Sequence, residues 1–109
     1  MIEPTYRVIR FLEVNPYCSQ REIAKTLGYS LGKVNYIIAS LVEKGIIKLH
    51  RFMSSDNKLA YRYVLTPKGL KARYRITREF LKSKTREYEV IVKEIAEAKR
   101  LLGDNAENE

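Results

Sequence analysis

Apolar and polar positions alternate along this chain with two periods, and the switches between them mark the elements. Tyr6, Ile9, Phe11, Leu12 and Val14 recur at roughly helical spacing behind Pro4, which a first helical turn tolerates. They predict a first helix over residues 4–15, stopped by Asn15-Pro16. Ser19 and Glu22 form a capping-box pair, because hydroxyl and carboxylate can each satisfy a free backbone N–H. Ile23, Ala24 and Leu27 give a short second helix its buried stripe, and Gly28 ends it. Only Gly28-Tyr29 separate that helix from Ser30, the N-cap of a third. There Val34, Ile37, Ile38, Leu41 and Val42 follow at helical spacings, and Lys44-Gly45 closes the helix. A short helix, a tight glycine turn and an amphipathic helix make a helix-turn-helix.

The period then shortens to two. Residues 46–52 alternate loosely as a strand, residues 54–57 are turn-forming, and residues 59–65 alternate apolar or aromatic with small or basic side chains. Two strands joined by a polar turn behind a helix-turn-helix form a wing. Thr66-Pro67 restarts a helix, and nothing after Gly69 breaks it before Gly103. Residues 67–102 would extend about 54 Å, too far to pack fully on so small a domain. Tyr74, Leu81, Tyr88, Ile91, Ile95, Ala98 and Leu102 step by three and four, with Thr77 and Lys84 between, in a heptad register. We therefore expect dimerisation through Leu81, Tyr88, Ile91, Ile95, Ala98 and Leu102, the alternative being a helix folded back on its own domain. The pattern does not choose between parallel and antiparallel pairing. The fold class is mainly α with a small β-hairpin (α+β): a winged helix-turn-helix over 1–66, a long amphipathic helix over 67–102, and an acidic, disordered tail over 103–109.

Composition bounds what such a chain does. Its 109 residues, 45% hydrophobic and 31% charged, suit one globular domain with an appendage. No apolar run reaches the ~20 residues of a bilayer span, and the N-terminus lacks a signal-peptide pattern. A lone cysteine, Cys18, forms no internal disulfide and fits a reducing cytoplasm. The net charge is +8, but from Arg21 to Arg86 sixteen Lys/Arg face four acids, Glu22, Glu43, Asp56 and Glu79. So concentrated a field favours a polyanion.

Catalytic chemistry is not legible. One His, His50, and one Cys lie on different predicted elements, and neither a glycine-rich phosphate loop nor a metal-ligand spacing occurs. No catalytic residue, metal site or cofactor is expected. Glu87, Glu89, Glu94 and Glu97 sit among Lys93, Lys99 and Arg100 as a solvated, ion-paired helix face. The third helix is more informative. Its outward face near the N-terminus shows Leu31, Gly32, Lys33, Asn35, Tyr36 and Ser40 behind the Ser30 cap. Gly32 lets a backbone approach, the helix start offers N–H groups to phosphate, Asn35 has the chemistry to read adenine, and Lys33 reaches guanine or phosphate. Arg51 and Lys58 add charge to the wing, and a dense basic run from Lys68 to Arg86 continues it.

At these residues the chain resembles a family. Residues 21–36 and 41–48 look like the winged helix-turn-helix of MarR-type regulators, and Val64-Leu-Thr-Pro-Lys-Gly69 is similar to their strand-to-helix "LTxKG" element. The short length, the Ser30–Tyr36 turn and the basic C-terminal helix resemble more narrowly the small members associated with exopolysaccharide gene clusters. The resemblance implies dimeric, operator-binding transcription factors of the bacterial cytoplasm, with recognition positions at Lys33, Asn35 and Tyr36 and a basic wing position at Lys58. Two departures stand out. Asp56-Asn57-Lys58 supplies lysine where the family's wing tip has arginine, and the family's initial dimerisation and effector helix is missing. An effector is thus left open, and dimerisation would rest on the C-terminal helix.

The expectation is a sequence-specific regulator of double-stranded DNA, two copies reading an inverted repeat in major grooves about 34 Å apart, with no membrane partner. The competing expectation is a winged-helix interaction module that docks a partner protein through its long helix. A weaker third is binding of RNA or single strands through some of the eight tyrosines.

Overall fold

The computed structural model describes residues 1–56 and 59–103. Its elements run α1 (Ile2–Val14), α2 (Gln20–Leu27), α3 (Leu31–Glu43), β1 (Ile47–Met53), β2 (Leu59–Leu65) and α4 (Pro67–Leu102). The two strands pair antiparallel, from Ile47 against Leu65 to Met53 against Leu59, as the expected wing. The chain divides into two compact units: the first is Met1–Thr77, and the second begins at Arg78. Residues 67–77 of α4 thus belong with the winged helix-turn-helix.

One apolar core holds the first unit. Val8, Ile9, Ile23, Val34 and Ile37 are its most completely buried large side chains, with Leu12, Ile38, Leu41, Ile46, Ile47, Ala72 and Ile76 around them. The sequence-derived stripes need two amendments. In α1 the inward face is Val8, Ile9 and Leu12. Val14 is 67% exposed because it lies about 200° around the helix from Leu12. In α3, Val34, Ile37, Ile38 and Leu41 are buried, whereas Val42 is 45% exposed. Its neighbour Leu41 holds the stripe centre, and one further residue turns the side chain away by ~100°. Helix α1 also begins two residues before the expected start at Pro4, and β1 starts after Ile46.

Backbone bonding fixes the joints. The Ser19 side chain accepts from Glu22 N–H at 3.1 Å, and Gly28 ends α2 at φ 73°, a left-handed conformation that glycine adopts without strain. Tyr63 N–H donates to the Pro16 carbonyl at 2.9 Å, so the wing is bonded to the loop between α1 and α2. Thr66 works as the expected cap of α4: its hydroxyl accepts from Gly69 N–H at 2.9 Å and donates to the Gly45 carbonyl. The Thr66 N–H adds a bond to the Ile46 carbonyl at 3.0 Å. Gly69 sits against that same peptide, where a Cβ would come within 2.0 Å of the Ile46 oxygen. Further along, the Arg73 guanidinium meets the half-buried Glu13 carboxylate at 2.5 Å.

The second unit is helix alone among the described residues. Leu81, Tyr88, Val90, Ile91, Val92, Ile95, Leu101 and Leu102 are all exposed on it.

Candidate nucleic-acid interface

Helix α3 is built with its core on one side and a clean outward face on the other. The Ser30 hydroxyl accepts from Lys33 N–H at 3.1 Å, the backbone before the helix being extended (φ −68°, ψ 153°). Counted at 100° per residue, Gly32, Tyr36 and Ser40 lie in line one turn apart, opposite Val34, Ile38 and Leu41. Tyr36 is 67% exposed, and a Cβ on Gly32 would meet nothing within 4 Å. The two flanks of this face are held. Lys33 Nζ lies 4.4 Å from the centre of the Tyr29 ring, a cation–π contact. Asn35 Nδ2 donates to Gln20 Oε1 at 3.2 Å. Ser40 is half-buried, two turns from the helix start.

The structure thus gathers Ser30, Gly32, Lys33, Asn35 and Tyr36 at one end of α3, with Ser40 behind them. Arg51 is elsewhere, exposed in β1 and paired in register with Tyr61 of β2. Lys58 lies outside the described residues. Beside Arg51, the rings of His50 and Phe52 stack at 6.3 Å, and Tyr17 meets Phe52 edge-on at 5.7 Å. Sequence reading missed Gln20 and Tyr29, the two residues that hold Asn35 and Lys33. Gln20 is fifteen positions from its partner, a separation that no local period reports. Tyr29 was legible only as part of the turn.

Among the described residues no group of His, Cys, Asp or Glu is arranged to hold a metal ion, and no helix is long and apolar enough to cross a membrane. Burial pushes the Cys18 thiol above its ordinary range, with the Glu22 charge adding to the effect.

The fold defines the class: a winged helix-turn-helix domain. Residues 4–48 match the protein family described as winged helix-turn-helix DNA-binding. The structural neighbours carry the resemblance further. The transcriptional regulator SlyA superposes with a TM-score of 0.57 at 27% identity, covering 86% of this chain and 68% of that one. A MarR/EmrR family transcriptional regulator from Acinetobacter sp. ADP1 gives 0.54 at 20% identity, covering 87% and 73%. A MepR variant of S. aureus bound to an oligodeoxyribonucleotide gives 0.52 at 18%, covering 91% and 78%. The resemblance to MarR-type regulators read from the sequence is borne out, and these neighbours are transcriptional regulators. No curated protein matches the chain by sequence.

Proposed function

We propose that this chain is a sequence-specific transcriptional regulator that binds double-stranded DNA as a homodimer. The observation that carries the reading is the α3 face: a capped helix start with a bare glycine, a lysine, an amide and an exposed tyrosine, on a helix otherwise committed to the core. Asn35 and Lys33 supply base-reading donors, Tyr36 an exposed ring, and Ser30 and Gly32 a close approach for phosphate at the helix start. Arg51 and Lys58 contribute phosphate contacts from the wing. That a MepR variant of the same fold is bound to an oligodeoxyribonucleotide supports nucleic acid as the ligand.

Dimerisation is assigned to the exposed stripe of α4 at Leu81, Tyr88, Ile91, Ile95, Ala98 and Leu102. A stripe this apolar over three heptads is left to solvent only at the cost of about 25 cal/mol per Å² of apolar surface. A cytoplasmic location follows from the proposed work on DNA. The resemblance to regulators of exopolysaccharide clusters makes such genes the first DNA to test.

The test is fluorescence anisotropy on DNA from upstream of the neighbouring genes, with a scrambled duplex as control. Wild-type protein prefers its site, and affinity falls steeply with salt. Combined Lys33→Ala, Asn35→Ala and Tyr36→Ala substitution abolishes the preference and leaves weak binding to both duplexes. Retained preference in that variant rejects the site, and a monomer without DNA affinity at low salt supports the protein-docking module instead.

A further inference from the structure

The basic run that opens α4 separates, in three dimensions, into groups with different surroundings. Arg73 is taken by Glu13, and Lys82 and Lys84 pair with Glu79 and Glu87 on their own helix. Among the described residues, Lys68, Lys71 and Arg75 have no ion-pair partner. Spaced i, i+3 and i+7, they share one face of the helix. With Lys44, the C-cap of α3, they line an open cleft of about 510 Å³ whose remaining walls are the buried Ile46 and Ala72. Among the described residues, no acid lines this cleft. Among the described residues, none of its four cations has an ion-pair partner.

Such an arrangement works against the stability of the chain in two ways. Four like charges around one concavity repel one another. Lys68 also stands in the first turn of α4 and Lys71 directly after it, where the helix dipole favours acids, and that first turn contains none. Meanwhile the walls are rigid. Thr66 bonds to Gly45 and Ile46, and Gly69 lies against the Ile46 peptide, so the cleft needs no rearrangement to exist.

We propose that this cleft binds a small phosphate-bearing anion, the four cations meeting phosphate oxygens while Ile46 and Ala72 floor an apolar or planar part of the ligand. Its size suits a nucleotide-scale molecule. The backbone of DNA read by α3 is a poorer fit. Lys44 stands eleven residues beyond Lys33, about 16 Å along the axis, at the opposite end of the helix from the reading face.

The full chain is titrated with ATP and, separately, with inorganic triphosphate at physiological ionic strength, followed by amide chemical shifts. Both probes are expected to move the signals of Ile46 and Ala72. Tighter binding of ATP shows that the apolar floor takes part; equal binding shows that the phosphates suffice, and either result supports the site. Lys71→Gln with Arg75→Gln should weaken binding about tenfold or more, since two charge-assisted contacts are lost. Lys93→Gln with Lys99→Gln removes the same charge outside the cleft and should leave affinity within about twofold. A second pair, Lys44→Gln with Lys68→Gln, repeats the test from the other wall if the first pair unfolds. Absent shifts, or equal weakening by cleft and control pairs, overturn the proposal. So does loss of duplex-DNA affinity in the cleft pair with no response to either probe, which would make these residues contacts to the DNA backbone.

Discussion

Asn35 is tied to Gln20 by an amide–amide hydrogen bond of 3.2 Å, so the first residue of α2 orients a side chain on the proposed reading face of α3. If Asn35 reads a base, Asn35→Ala should remove about 1–3 kcal/mol of discrimination at one base pair. Gln20→Ala leaves the reader in place but unrestrained, and should cost about 0.5–1.5 kcal/mol of the same discrimination. Anisotropy on matched and singly substituted duplexes measures both. An unchanged specificity ratio in both variants would remove Asn35 from the interface.

The contact of Gly69 with the Ile46 carbonyl makes a sharp stability prediction. Gly69→Ala forces a methyl into a rigid peptide and should lower stability by about 1–3 kcal/mol or more, read from urea denaturation. Gly32→Ala is the contrast. Open space surrounds its Cβ position within a helix, so the same change should raise stability by up to about 1 kcal/mol. Equal effects at the two glycines would contradict this steric account.

Self-association is tested at Ile91 and Ile95, one turn apart and each about half exposed in the single chain. Ile91→Glu with Ile95→Glu should convert a dimer to a monomer in light scattering, with the helix content retained by circular dichroism. Operator affinity should fall with it, because each copy then holds one half-site. A wild-type protein that is already monomeric at micromolar concentration disproves the assignment.

Cys18 carries a pH signature. Its thiol is raised by burial, then by Glu22, so the folded state holds the proton more tightly than the unfolded one. The resulting stability is complete below the unfolded thiol range and is lost as pH climbs through the higher folded value. The denaturation midpoint of the wild type should therefore drop in alkaline solution, and Cys18→Ala should flatten that drop. At pH 8.5, alkylation of Cys18 should be slower in the native protein than in urea.

Most of the architecture was legible because its signals are local. Ser19, Ser30 and Thr66 announce helix starts through capping chemistry, and all three accept the bonds that their positions predict. What was not legible depends on distance in the chain. Val8 and Val14 are equally apolar; the helical period sets Val14 off the stripe of Ile9 and Leu12, and packing against α3 and β2 fixes that this stripe is the one buried. The inward face of α4 is Gly69, Ala72 and Ile76, two of them too small to register as a hydrophobic stripe. In the candidate site, the outward face of α3 followed from its period, while the grip of Gln20 on Asn35 and of Tyr29 on Lys33 required the fold.

The hydrogen bond from Tyr63 to Pro16 has a consequence for how such a protein diversifies. It anchors the wing at its root, on the loop that also leads into α2. Lengthening or recharging the tip therefore leaves the spacing between wing root and α3 unchanged. On the proposed interface, the α3 face and the wing would then change independently, the first by substitution on a fixed helix and the second at its tip.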